Sequence, residues 1–171
     1  MTDRPIIFSA PMVRALLEGR KTMTRRLASS PLRKCAAGDR LWVRETWGEG
    51  SPPIYRSDLP AAYDTSDWGW RPSIHMPRSA SRLTLVVTAM KVEPLADITA
   101  ADCFAEGCEM VDGRGVEEDG GYRMAPGMDL QGSPQSAFMA LWELLHGEVS
   151  YRDNPEVVAL TFTVERRNID A

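Results

Sequence analysis

The sequence predicts a mixed α+β protein: a small β-barrel of short strands with helices at its edges. Three observations lead there. The strand-like segments are short. They are not separated by regularly spaced helices, which argues against a doubly wound α/β sheet. With 171 residues, 43% of them hydrophobic and 26% charged, the chain has one domain's length and can bury a core without disulfides or metal. A single domain over residues 1–171 is expected, with two long insertions at about 48–80 and 111–132 decorating the barrel.

Residues 4–9 (RPIIFS) form an apolar run that reads as the first strand. Pro11 then sits where a first helical turn tolerates it. Met12, Ala15 and Leu16 recur at helical spacing, and Gly19 is a C-terminal stop. Gly38-Asp39 is a turn, followed by a strand over 40–44 with Leu41 and Val43 on one face. Residues 48–80 are rich in Pro, Gly, Ser, Asp and Trp and read as a long loop with a short strand near 54–56. Residues 81–90 carry the strongest strand pattern, with Leu83, Leu85 and Val87 alternating. Thr99 caps a helix over 100–106 that Gly107 ends. Residues 111–132 read as a second long loop. Ser133-Pro134 opens a helix whose apolar stripe is Phe138, Leu141, Trp142 and Leu145, closed by Gly147. Residues 157–165 form the last strand.

No apolar run approaches the roughly 20 residues of a membrane helix. The N-terminus is broken by Pro5, Pro11 and charges, so no signal peptide and no membrane partner are expected, and the cytoplasm is the expected address. Cys35, Cys103 and Cys108 form no CxxC pair, and only His75 and His146 accompany them. Free thiols and no metal or organic cofactor are the expectation, with Cys103 in an apolar interior. No P-loop, GxGxxG, HExxH, GxSxG or EF-hand pattern occurs.

The net charge of −4 hides an asymmetry: residues 1–44 hold ten Lys/Arg and three Asp/Glu, residues 91–171 six and sixteen. Either a basic face attracts an anion, or the two ends pair in the fold. The acidic total argues against a general nucleic-acid coating protein. The basic residues concentrate in Gly19-Arg20-Lys21-Thr22-Met23-Thr24-Arg25-Arg26. The run is either a solvated turn or an anion-facing strip with a hydroxyl nucleophile beside a lysine. A hydroxyl needs a base to take its proton. Lys21 can serve if burial or the cations of Arg20, Arg25 and Arg26 lower its pKa. On a regular strand Lys21 and Thr24 face opposite ways. The chemistry therefore requires irregular backbone here.

This run resembles the GRKTxTxR core of the ASCH family, whose fold is a PUA-like small β-barrel related to RNA-binding modules. Gly38-Asp39 with Leu41-Trp42-Val43 resembles the family's GDxLxV strand. Ile98-Thr99 through Glu106 resembles its acidic-residue helix, and residues 158–164 its closing strand. The match touches most of residues 4–47 and 81–166. The segments LWVRETW, YR and WRPSIHMPR are similar to ASCH proteins often carried by bacteriophages and prophages. A compact branch of the family removes acetyl from N4-acetylcytidine. By that resemblance, Lys21 is the base, Thr24 the nucleophile and Glu106 the proton donor, with Lys21 and Arg26 stabilising oxyanion charge. The two insertions, and Arg25 in place of an apolar residue, depart from that branch and leave the substrate open. The resemblance thus implies an amidohydrolase acting on an N-acylated nucleoside. The alternatives are an RNA-binding or RNA-cleaving module without amidase activity, and an accessory protein whose barrel binds a protein partner.

Further candidates for holding a modified nucleoside or RNA lie outside the run. Trp47 and Trp70, like Trp68, lie in or beside the long loop, where base stacking and loop anchoring both fit. Arg44-Glu45 is a charged pair at a strand end. Glu45 there orients Lys21, reads a base edge, or joins a surface ion pair. His75 lies between two prolines and two arginines, so it is structural or part of a phosphate contact made with Arg71 and Arg78. Trp142 belongs to the core, and His146 suits a helix C-terminus.

Overall fold

A computed structural model describes residues 1–60, 68–113 and 120–171; parts of both predicted loops, 61–67 and 114–119, lie outside the described residues. The chain forms two compact units. Met1–Gly19, Cys35–Ala89 and Phe162–Ala171 make the first, and Arg20–Lys34 with Met90–Thr161 the second. The strands are β1 (Asp3–Ile7), β2 (Met23–Leu27), β3 (Arg40–Arg44), β4 (Trp47–Gly48), β5 (Ile54–Tyr55), β6 (Thr84–Pro94), β7 (Glu109–Val111), β8 (Gly121–Arg123) and β9 (Glu156–Glu165). The helices are α1 (Ala10–Leu17), α2 (Ala100–Ala105) and α3 (Pro134–His146). Five strands share one sheet in the order β1-β3-β6-β9-β2. The fold is mixed α+β as expected. The ladders of the described residues give an open order with β1 and β2 as end strands, where a closed barrel was expected. No helix among the described residues is long and apolar enough to cross a membrane.

In the first unit, β1 runs parallel to β3, with Ile6 opposite Val43. A parallel pair cannot be joined by a hairpin, and α1 begins the crossover it requires. Met12, Val13, Ala15 and Leu16 are the buried face of α1. Gly19, with φ +76°, takes the left-handed conformation that ends it. β3 pairs antiparallel with β6, Leu41 opposite Leu85, and Leu41, Val43, Leu83, Leu85 and Val87 are buried. The turn before β3 has Gly38 at φ +90°, and the Asp39 carboxylate accepts the N–H groups of Thr2 and Ala36. The short strand expected near 54–56 is β5, paired with β4. Trp47, Met76 and Ala80 form a satellite cluster with Tyr55, so the insertion carries a small core of its own.

In the second unit, β2 pairs antiparallel with β9, Thr24 opposite Leu160. Val157, Val158, Ala159 and Leu160 are all buried. β9 is thus covered on both faces, as an inner strand should be, and its alternation is lost there. Thr99 and Asp102 close a reciprocal capping box on α2, and Gly107, at φ +105°, follows it. The hydroxyl of Ser133 caps α3 by accepting the Ser136 N–H. Phe138 and Trp142 join Leu95, Ile98, Cys103, Cys108, Met124 and Val157 in the core. Leu145, placed on this stripe from the sequence, is instead 67% exposed, because the α3 core ends one turn earlier. The 111–132 segment also departs from a plain loop: β7 and β8 form an antiparallel pair, Met110 opposite Tyr122.

All three cysteines are free and buried. Burial pushes the Cys103 thiol up to about 12 and the Cys108 thiol up to about 11. Little thiolate is then present at pH 8. Both thiols should resist alkylation at pH 8 in the native chain and react rapidly once urea unfolds it. Rapid native labelling of either, mapped by peptide mass, would contradict this core.

Candidate functional site

The site grows from the meeting of residues 20–22 with the end of α2, within the second unit. The last carbonyls of a helix lack partners inside it. Here three successive residues reach the carbonyls of the last helical residue, its cap and the residue after. The Arg20 guanidinium donates to the Gly107 carbonyl at 2.9 Å, the Lys21 ammonium to the Glu106 carbonyl at 2.8 Å, and the Thr22 N–H to the Ala105 carbonyl at 2.8 Å. This segment lies between α1 and β2 and belongs to neither. Lys21 thus lies outside regular secondary structure, while Thr24 lies within β2.

The same anchoring carries Lys21 Nζ to 2.8 Å from Glu106 Oε2. Lys21 is 2% exposed and Glu106 4%, so the pair is dry. Burial pushes the Lys21 pKa below its ordinary value. Arg26 and Arg25 push the same way, and the Glu106 carboxylate opposes them. Thr24, on β2, is also fully buried, and its Oγ1 accepts a 2.7 Å bond from Arg26 Nη1. Residues 24 and 26 share one face of a strand, and Arg25 takes the other. Arg26 links Thr24 to the pair, since its charge bears on both Lys21 and Glu106. Thr22, the other hydroxyl of the run, is exposed.

Arg25 stood out in the sequence as a cation near Lys21 and as a departure from an apolar position, without an indication of its partners. Its side chain is wholly buried. Nη2 lies 2.8 Å from both Glu93 Oε1 and Asp102 Oδ2, and Nη1 lies 3.4 Å from Glu106 Oε1. Lys91 adds a cation at the rim, 3.0 Å from Glu93 and 3.7 Å from Asp102. Among these side chains the basic 20–26 run pairs with acids from the later part of the chain, which is the second of the two readings of the charge asymmetry. One signal was legible: Asp102 and Glu106 stand four apart on a helix, on one face, and so share a partner.

Of the candidates for holding substrate, Arg26 belongs to this group. Arg44, Glu45, Trp47, Trp70, His75 and Arg78 belong to the first unit. Arg44 donates to the Ile74 carbonyl and stacks on Trp42. Glu45 is 1% exposed, which excludes a surface ion pair. Its carboxylate accepts from Ser57 and from Arg82 Nε, the latter at 3.0 Å, and Arg82 in turn stacks on Tyr55. Ser57 and Arg82 were not foreseen, because nothing local in the sequence joins residues 45, 57 and 82. Trp47 is buried in the satellite cluster. Trp70 stacks on the half-exposed Trp68 with rings 6.1 Å apart. His75 is exposed, and Arg78 bridges Asp3 and Asp170. Trp142 is in the core. At the end of α3 the His146 ring packs 4.2 Å from that of Trp142.

No family model and no curated protein matches the chain. Two solved structures do. An ASCH domain from Lactobacillus crispatus JV V101 is 11% identical, with a TM-score of 0.43 over 95% of this chain and 79% of that one. The hypothetical protein PH0355 is also 11% identical, with a TM-score of 0.51 over 96% of this chain and all of that one. The chain thus shares its fold with PH0355.

Proposed function

We propose that the chain is an ASCH-type protein with a PUA-like barrel, and that Lys21, Thr24 and Glu106 hydrolyse the acyl amide of an N-acylated nucleoside such as N4-acetylcytidine, free or within RNA. The observation that carries this is the buried 2.8 Å contact of Lys21 with Glu106; the buried Thr24 hydroxyl on β2 is bonded to Arg26, whose charge reaches both members of the pair. A dry ammonium-carboxylate pair loses much of the hydration that favours its charged form. Moving one proton from Lys21 to Glu106 yields a neutral amine and a carboxylic acid. These are the base and the acid that amide cleavage requires. Lys21 then takes the Thr24 hydroxyl proton as Thr24 Oγ1 bonds to the acyl carbon. Arg26, already on Thr24 Oγ1, and the newly charged Lys21 stabilise the oxyanion. Glu106 gives its proton to the departing amino nitrogen as the C–N bond breaks, releasing the nucleoside. Water next attacks the acyl-threonine ester, and acetate leaves as the threonine hydroxyl is restored.

The test is release of cytidine and acetate from N4-acetylcytidine, followed by chromatography. Glu106→Gln should cut kcat by about 10²–10⁴-fold, the usual loss for a missing general acid. A folded wild type that releases no acetate would remove this reading. Retention of single-stranded RNA without hydrolysis would then move the assignment to RNA binding.

A further inference from the structure

Resting on the hydrolase reading, we propose that Arg25 is the positioning residue of this group: Asp102 and Glu93 hold its guanidinium, and the guanidinium holds the Glu106 carboxylate against Lys21. The two oxygens of Glu106 have different partners. Lys21 Nζ lies 2.8 Å from Oε2, and Arg25 Nη1 lies 3.4 Å from Oε1. A planar carboxylate approached by a cation at each oxygen cannot rotate without losing one of them. Glu106 sits at the C-terminal cap of a six-residue helix, where backbone alone gives it little constraint. The firm grip on Arg25 comes from the two 2.8 Å contacts with Glu93 and Asp102. Asp102 also accepts the Thr99 N–H of the capping box, so the start of α2, Arg25 and the end of α2 form one chain of contacts. Arg25 Nε is buried without a partner. Buried donors are nearly always satisfied; here Nη1 and Nη2 donate to the three acids, and Nη1 also to Met23 Sδ, so the guanidinium serves the acids while its Nε is left over. Without that cation, Asp102 and Glu106 would repel each other across one helical turn.

Arg25 has a second consequence. A cation beside Lys21 disfavours its protonation, so removing it moves uptake of the proton by Lys21 to higher pH. Among the described residues, other charged or titratable groups around the pair include Asp102 and Cys103 from α2, Glu93 and Lys91 from β6, and Arg26 from β2. Arg20 reaches the next carbonyl, and Tyr151 and His146 feel Arg25 and Arg26 respectively. Each stays in place when Arg25 alone is changed.

The experiment uses Arg25→Met and Arg25→Lys, each checked for folding, with N4-acetylcytidine as substrate and ¹⁵N NMR of the Lys21 ammonium. Arg25→Met should lower kcat by about 100-fold with little change in KM, as misplacement of a reacting group does. It should also move the acid limb of the rate profile, and the Lys21 titration midpoint, to higher pH. Arg25→Lys keeps the charge but not the fork. Its kcat should fall while the midpoint stays, and the Lys21 ammonium signal, sharp in wild type, should broaden as Glu106 loosens. Wild-type kcat, midpoint and line width in either folded variant would overturn the proposal. If the wild type itself hydrolyses nothing, the hydrolase reading fails separately. The Lys21 signal then decides the role of Arg25: unchanged in both variants, it overturns the positioning claim. If Arg25→Met does not fold, the Arg25→Lys line width and kcat carry the same decision.

Discussion

Lys21→Met destabilises the chain by about 3–5 kcal/mol, the cost of leaving one partner of a buried ion pair uncompensated. Among the described residues, Glu106, 4% exposed, would keep the 3.4 Å approach of Arg25 and the charge of Arg26, and its own carbonyl would lose the Lys21 donor. The double variant Lys21→Met/Glu106→Leu should recover a substantial part of that loss, because a dry apolar pair of similar volume can match a buried salt bridge. Urea unfolding of the two single variants and the double one measures the coupling. The pH dependence has a definite sign. Burial lowers the Lys21 pKa in the fold from its ordinary 10.5, so just below pH 10.5 the unfolded chain binds more protons than the folded one. This group therefore makes stability rise with pH through that interval and level off above it. Lys21→Met should erase that rise relative to wild type. A loss under about 1 kcal/mol would mean that the pair is solvated, since surface pairs contribute no more than that.

Thr24→Val abolishes turnover, lowering kcat by about 10⁴-fold or more, as removal of a nucleophile does, while the fold survives. Valine matches threonine in shape and suits β2, so packing against the buried Leu160 opposite is kept. Arg26 Nη1 loses Thr24 but keeps the Arg25 carbonyl at 2.9 Å. The stability cost should accordingly stay near 1–3 kcal/mol. Thr24→Ser retains the hydroxyl and should retain measurable hydrolysis. Turnover of Thr24→Val at even a tenth of the wild-type rate would assign the attack to water rather than to the threonine. Measuring kcat together with thermal unfolding separates that outcome from simple loss of structure.

Local chemistry was readable where one stretch of chain decides it. Pro11 and Gly19 bracket α1, Thr99 and Gly107 bracket α2, Ser133 and Gly147 bracket α3, and Leu41 with Val43 mark the buried face of β3. Periodicity names a face without telling how far its cover extends. Leu145 therefore appeared to continue a stripe that the core leaves at Trp142, and β6 runs to Pro94, past its apolar part. The β7–β8 pair hid in a Gly- and acid-rich segment whose ladder is backbone, not side chain. Lys21 and Glu106, singled out through a motif and a helix end, do meet at 2.8 Å. The sharing of Arg25 among Glu93, Asp102 and Glu106 joins residues 68 to 81 positions apart. Sequence spacing shows that Asp102 and Glu106 share a helix face, but carries no trace of Arg25 or Glu93 meeting them. Glu45 was singled out as a charge, while its partners come from within an insertion, Ser57, and from beyond it, Arg82.

Acid quench of the wild type during turnover of N4-acetylcytidine, followed by intact and peptide mass spectrometry, tests the catalytic claim most directly. A transient gain of one acetyl group is expected, mapped to the peptide containing Thr24 and absent from Thr24→Val. Continued acetate release with no acetylated protein at any time, or an acetyl group on another residue, would contradict it.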